Sequence, residues 1–214
     1  FDFYINHLGI NAENLKFHQH NKDALAHYAK DAYDIEYNFP FGWGEVEGIH
    51  NRTDFDLKQH ENLSGKNMTY FDTKSQEKYH PYIIETSTGL NRLFLMILCE
   101  AYFEDTENNR IVLRLPYELA PIKAVICPLV KKDGLPEKAM SLFNELNQAF
   151  PCVYDEQGSI GKRYYRQDEA GTPFGITLDH DTLEDNSVTI RERDSMQQTR
   201  IPIDKIATFI SDNK

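Results

Sequence analysis

The segment that most restricts how this chain can fold runs from Tyr82 to Leu98. It reads Tyr-Ile-Ile-Glu-Thr-Ser-Thr-Gly-Leu-Asn-Arg, followed at once by Leu-Phe-Leu-Met-Ile-Leu. The first half alternates as a strand does, placing Ile83, Glu85 and Ser87 on one face. The second half repeats Leu90, Leu93, Phe94, Ile97, Leu98 and Ala101 at helical spacing, and Leu95 and Met96 make the helix apolar nearly all round. Such a helix is expected inside a domain. Arg92 falls in its first turn, near the positive end of the helix dipole, just beyond a carboxylate and a hydroxyl on one strand face. Polar groups gathered at an apolar strand-to-helix junction are costly unless partnered. Two readings follow: Glu85 and Arg92 neutralise each other, or together they hold a ligand.

At 214 residues the chain is long enough for one large or two small domains, each with a real core. Its 13 Phe and 12 Tyr, with no low-complexity tract, place it among globular rather than disordered proteins. No apolar run approaches the roughly 18 residues that span a bilayer, and no signal-peptide pattern opens the chain. Cys99, Cys127 and Cys152 lie in apolar segments without metal-ligand spacing, so buried thiols of a cytosolic protein are expected. No metal site is expected, the His18-Gln19-His20 pair being read as surface histidines. A net charge of −11 argues against a generic nucleic-acid coat protein. The charge is uneven, with 12 basic against 15 acidic residues from 121 onward, so a polyanion would prefer that part. The first residue is Phe, which suggests a piece of a longer chain.

Along the chain, Asn21 is a suitable cap for a helix through Ala24, Leu25, Tyr28 and Ala29. Ile35–Phe39 reads as a strand stopped by Pro40. In the stretch from Phe41 to Ile49, period two puts Trp43, Glu45, Glu47 and Ile49 on one face, with Gly44, Val46 and Gly48 on the other. Glycine at alternate positions weakens a strand unless a ligand or another backbone comes close. That face is a solvated edge or, as the glycines favour, the wall of a cationic or metal-bearing pocket. Asn51 to His60 reads as a polar turn into a short helix, and Glu61 to Gln76 as a loop or hairpin. Pro116 and Pro121 bracket a boundary between residues 1–117 and 118–214. Beyond it come a buried strand near Ile122–Leu129, a helix from Pro136 to Phe150 and a strand at Cys152–Tyr154. A basic-faced helix follows from Ile160 to Asp168, then a strand at Phe174–Leu178, a hairpin around Asp194–Gln197 and a last helix near Asp204. This is a βαβαβ-type α/β domain with a mixed sheet.

The words of the sequence carry more than its periodicities. Gly42-Trp43-Gly44-Glu45, Asn51-Arg52-Thr53-Asp54-Phe55-Asp56-Leu57-Lys58-Gln59-His60, Ser64-Gly65 and Tyr70-Phe71-Asp72 resemble the late catalytic domain of homodimeric glycyl-tRNA synthetases. Glu85-Thr86-Ser87-Thr88-Gly89-Leu90-Asn91-Arg92 resembles motif 3 of that class II family, which ends in an ATP-contacting arginine. Arg166-Gln167-Asp168-Glu169, Gly171-Thr172-Pro173-Phe174, Thr182-Leu183-Glu184-Asp185 and Val188 to Met196 are similar to its anticodon-binding domain. Thr86 stands where the family usually has proline. Motifs 1 and 2, which build the dimer interface and supply further ATP and glycine contacts, are not in this sequence. The resemblance therefore implies the C-terminal part of such an enzyme, inactive alone.

It implies an α/β (α+β) chain. Residues 1–117 would be part of a class II antiparallel-sheet catalytic domain, and 118–214 a mixed-sheet anticodon-binding domain. The implied activity is glycine–tRNA ligation in the cytoplasm by a homodimeric full-length enzyme, with glycine, ATP and tRNA(Gly) as partners and Mg²⁺ on the phosphates. By the same resemblance Glu85, Thr86, Ser87, Thr88 and Gly89 bind glycine. Glu45, Val46, Gly89, Leu90, Asn91 and Arg92 meet ATP, with Arg92 and Glu45 the catalytic pair. A carboxylate and a hydroxyl suit the glycine ammonium and its orientation, and Arg92 suits adenine or phosphate. One methyl is worth only about 1–3 kcal/mol in a pocket, so rejecting alanine must rest on steric closure. In the tail, Lys162, Arg163, Arg166, Arg191 and Arg193 are candidate tRNA contacts, about half of which are expected to touch RNA. Two other readings stay open: a catalytically inactive, synthetase-like nucleic-acid-binding accessory subunit, and a class II synthetase for another amino acid.

Overall fold

Alternation and turn chemistry build an antiparallel sheet at the start of the chain, as four strands: β1 (Leu15–Gln19), β2 (Asp31–Phe39), β3 (Gly42–Asn51) and, further on, β6 (Ile84–Thr88). They lie in the order β1-β2-β3-β6, every neighbour antiparallel. Gly42 turns the β2–β3 hairpin with φ of 109°, a conformation that a side chain would strain. The structure is a computed structural model describing residues 1–213; residue 214, the end of the expected second domain, lies outside the described residues. Two compact units divide at Cys99/Glu100.

In the first unit one sheet face carries the core residues Leu15, Ile35, Tyr37 and Phe39, with Tyr4, Leu8 and Ile10 from the preceding segment also buried. The helix expected after Asn21 is reduced to a single 3₁₀ turn, Lys22–Ala24, without a side-chain cap. Helix α1 (Phe55–Ser64) follows the Thr53 turn, and a small hairpin, β4 (Tyr70–Asp72) with β5 (Glu77–Tyr79), fills the stretch read as loop or hairpin. Helix α2 (Leu90–Ala101) forms where its spacing predicts, but it is not the buried helix expected. Met96 is fully buried, while Leu90 and Phe94 are 77% and 61% exposed. The reason lies in the topology. β6 is an edge strand with only β3 beside it among the described residues, and one sheet edge cannot cover an apolar surface that runs round the whole helix.

The second unit opens with a hairpin, β7 (Tyr102–Asp105) against β8 (Arg110–Leu113). It packs within this unit, where buried Arg110 donates to Asp168 (2.8 Å) and to the Arg193 carbonyl (2.7 Å). There follow β9 (Ala124–Pro128), α3 (Leu135–Leu146), β10 (Cys152–Tyr154), α4 (Ile160–Ala170) and β11 (Phe174–Leu178). The short α5 (Thr182–Asp185), β12 (Ser187–Glu192), β13 (Gln198–Pro202) and α6 (Ile206–Asp212) complete the unit. The sheet order is β10-β9-β11-β12-β13, the first three strands parallel and the rest antiparallel, as the βαβαβ reading expects. All five side chains of β9 and of β11 are buried, as suits parallel strands covered on both faces. No described helix is long and apolar enough to cross a membrane.

Candidate active site

Strict alternation along β3 would put Glu45 and Glu47 on one face. They take opposite faces. Ile35 pairs with Glu47 and the next residue, Glu36, pairs with Glu45, so Val46 is one residue extra, a β-bulge. Directly opposed residues share a face, so Glu45 joins Glu36, Asp34, Gly48 and Ser87 on the polar side. Glu47 stays with Ile35 and Thr88 on the core side, where it accepts the Tyr4 hydroxyl at 2.5 Å. Burial, reinforced by that carboxylate, raises the phenol pKa of Tyr4 well above its ordinary range. The pocket-facing carboxylate predicted on β3 is therefore Glu45 alone, and the expected pair with Glu47 is corrected.

The same register sets the facing of β6. Glu85 opposes His50 and Ser87 opposes Gly48, both on the polar face. Thr86 opposes Ile49 and Thr88 opposes Glu47, on the other face. The side chains of Thr86 and Thr88 thus point away from the pocket, leaving only their backbone to meet a ligand there.

Ionic partners are also exchanged relative to the simple expectation. Arg92 does not neutralise Glu85. Its Nη1 donates to the Glu45 carbonyl (2.6 Å) and stands 3.8 Å from the Glu45 carboxylate, both side chains about half exposed. Glu85 instead accepts from Arg52 Nη1 at 2.7 Å. Arg52 also grips Asp56 with Nε and Nη2 (2.6 and 3.0 Å) and lies 4.1 Å over the Tyr28 ring. The two carboxylates hold the Arg52 guanidinium firmly charged, and Arg52 in turn lowers the pKa of Asp56. Sequence reasoning did not single out Arg52 as a partner of Glu85. The i,i+4 spacing to Asp56 was the available sign, but the contact with Glu85 depends on Thr53, whose φ of 56° turns the chain so that Arg52 N–H meets the Ile83 carbonyl.

Glu45, Val46, Ser87, Gly89, Leu90, Asn91 and Arg92 line one hollow of about 540 Å³. The sheet face continues beyond it. Lys16 pairs with Glu36 (2.8 Å) and covers the Trp43 ring at 4.2 Å. His18 pairs with Glu36 (3.0 Å), and His20 with Asp34 (2.8 Å). The two histidines are stacked, and His50 lies 6.4 Å from His20. No group of three or more His, Cys, Asp and Glu among the described residues is arranged to hold a metal ion. A divalent cation here would find one pocket carboxylate, Glu45, which suits an ion carried on phosphates with most of its water retained.

The five basic residues of the tail separate cleanly. Arg163 is buried and donates to the Pro128 and Gly158 carbonyls (2.6 and 2.7 Å). Arg191 forks onto Asp168 (2.9 and 3.0 Å), and Arg193 donates to the Leu115 and Gly171 carbonyls (3.0 and 2.9 Å). All three are buried, which removes them from the surface RNA could touch. Lys162 and Arg166 remain exposed, Arg166 resting on Asp155 at 2.6 Å. Burial pushes the Cys127 and Cys152 thiols up to about 12, so both are inert.

Both halves of the chain are similar to known proteins. Residues 123–213 match the family model described as "Anticodon binding domain", the mixed-sheet part of the second unit. Across 96% of its length the chain is 53% identical to the glycine–tRNA ligase of Treponema denticola, covering 48% of that protein. It is 52% identical to that of Borrelia hermsii over 98% of its length and 54% identical to that of Clostridium tetani over 96%, covering 48% and 44% of those proteins. The chain is thus homologous to glycine–tRNA ligases over nearly all its residues, and it spans about half the length of the curated relatives it matches.

Proposed function

We propose that this chain serves glycine–tRNA ligation, carrying one wall of the glycine- and ATP-binding site and the anticodon reader. The observation that carries the reading is the bulge at Val46. It brings the carboxylate of Glu45 to the sheet face of Glu85 and Ser87, and Glu45, Ser87 and Arg92 line one hollow, with Glu85 on the same face outside its lining. Glu85, steadied by Arg52, offers its free oxygen to the ammonium of glycine, and Ser87 orients the amino acid. The Glu45 and Val46 backbone meets the nucleotide, and Arg92 lies over adenine or against phosphate. The glycine carboxylate attacks the α-phosphate of ATP, releasing pyrophosphate and leaving glycyl-adenylate. A terminal ribose hydroxyl of tRNA(Gly) then takes the glycyl group and AMP departs. The residues work by positioning and charge neutralisation. Mg²⁺ would travel with the phosphates, touching Glu45. Lys162 and Arg166 are the tail residues left to touch tRNA. The working form is a cytoplasmic homodimer in which additional chain completes the site.

The test is glycine-dependent ATP–pyrophosphate exchange by the full-length protein that contains this chain. Exchange with glycine supports the reading. Its absence alongside intact tRNA binding selects the non-catalytic accessory role, and exchange with another amino acid selects a different class II synthetase.

A further inference from the structure

The mixed-sheet unit has a hollow of its own. It measures about 560 Å³ and is lined by Glu137, Met140, Ser141 and Asn144 of α3 and by Tyr154 and Glu156 at the end of β10. Helical spacing gathers the first four on one stripe of α3, while Leu135, Ala139, Leu142 and Leu146 form the buried stripe. β10 is the outermost strand of the described sheet, so the hollow opens at its edge. Glu156 is held in place there. Its Oε2 accepts from the Tyr154 hydroxyl at 2.6 Å, and Lys131 stands 3.3 Å from its Oε1. The loop that carries it, residues 155–158, is also gripped by α4. Arg166 donates to the Asp155 carboxylate and the Gln157 carbonyl (2.6 and 2.8 Å). Lys162 lies so near that a Cβ on Gly158 would stand 3.9 Å from its Cδ. The two basic residues of α4 left on the surface thus meet the loop that sets Glu156 in the hollow.

We propose that this hollow takes an unstacked cytosine of the tRNA anticodon, with Glu156 reading its amino group. This rests on the anticodon-reading part of the function above and gives it a site. Single-stranded RNA is read by splaying a base out and bonding its Watson–Crick edge, with basic side chains on the phosphates. Lys131, Lys162 and Arg166 stand round the loop for the phosphates. The edge of cytosine runs donor, acceptor, acceptor. A carboxylate accepts from its amino group, and the Asn144 amide and Ser141 hydroxyl supply donors for the ring nitrogen and the carbonyl. Met140 and Tyr154 give apolar surface for its faces. Uracil would turn a carbonyl oxygen toward Glu156, acceptor against acceptor. Adenine has the amino group but no third acceptor, which leaves a donor unpaired. Codons for glycine begin G-G, so cytosine is the base its tRNAs present at the matching anticodon positions.

The test measures binding of the full-length protein to a short RNA hairpin bearing the tRNA(Gly) anticodon loop, and to the same hairpin with each anticodon cytosine changed in turn to uracil. Wild type, Glu156→Gln and Asn144→Ala are compared. Wild type is expected to prefer cytosine about tenfold or more at one of these positions. Glu156→Gln, whose amide can donate as well as accept, is expected to bring that preference below about threefold. Asn144→Ala is expected to weaken the cytosine hairpin about fivefold with the urea midpoint unchanged. Asn144 is exposed on α3, so this variant decides the matter even where Glu156→Gln loses the fold. A wild type indifferent to cytosine, or a preference that survives Glu156→Gln, overturns the proposal. So does an equal loss for both hairpins in Glu156→Gln, because the carboxylate then serves the fold rather than the base. Unchanged binding in Asn144→Ala overturns it as well. A wild type that reads the hairpin without glycine-dependent exchange defeats the ligase reading and leaves the pocket standing, so the two failures are told apart.

Discussion

Arginine and carboxylate meet in both units of this chain, under opposite conditions. In the second unit Arg110 and Asp168 lie 2.8 Å apart with side chains 1% and 2% exposed, and Asp168 also receives both prongs of Arg191. In the first unit Arg92 and Glu45 are 3.8 Å apart with side chains 54% and 51% exposed. The buried set has already lost its water, so every donor must be matched within the protein, and removal of one partner leaves an uncompensated charge. The open pair is worth little to stability and keeps unfilled hydrogen-bonding capacity. A saturated ion pair holds a fold together. A half-open one is available to a ligand.

That contrast can be broken most forcefully at Asp168. Asp168→Ala strands Arg110 and Arg191 in the interior and should cost about 3–5 kcal/mol in urea unfolding. A loss under about 1 kcal/mol would mean that the network is not structural. Arg92→Ala should do the reverse, cutting glycine-dependent exchange in the full-length protein by about 10²–10³ while leaving the urea midpoint where it was. Near-wild-type exchange would take Arg92 out of its role.

A smaller effect should appear with pH. The Arg110 guanidinium holds the Asp105 carboxyl below the usual carboxylate range. The folded state then binds this proton less tightly than the unfolded chain. The stability Asp105 contributes is therefore full above about pH 4 and lost as pH falls through the depressed value. Urea titrations between pH 7 and pH 3 should show a shallower loss for Asp105→Asn than for wild type, and parallel curves would exclude the linkage. Smallest of all, Lys162→Ala and Arg166→Ala should each weaken tRNA binding modestly and reduce the salt slope by about one, with folding unchanged. Arg191→Ala, by contrast, should first be seen as lost stability.

Much of this was legible from residue order. From β9 onward the strands, the helices α3, α4 and α6 and the β12–β13 hairpin lie within a few residues of where periodicity and turn residues put them, whereas the β7–β8 hairpin and the short α5 were not read. The groups proposed to carry the chemistry, at 45, 85, 87 and 92, stand out in one dimension as well. Other features were hidden for a common reason. The helix α2 looked buried because its residues are apolar all round, yet exposure depends on what covers it. Arg163, Arg191 and Arg193 read as a basic surface, since charge is visible in sequence while the carbonyls and carboxylate that consume it come from Pro128, Leu115, Gly171 and Asp168.

What the order of residues determined by itself is the kind of elements present and the identity of the groups that can do chemistry, because propensity and side-chain type are local properties. Which way those groups point was decided only by the tertiary structure. One extra residue, Val46, turns Glu45 from the side of Glu47 to the side of Glu85, and a bulge exists only between two paired strands. Pairing register is a relation between distant segments, so no count along a single strand could have placed that carboxylate.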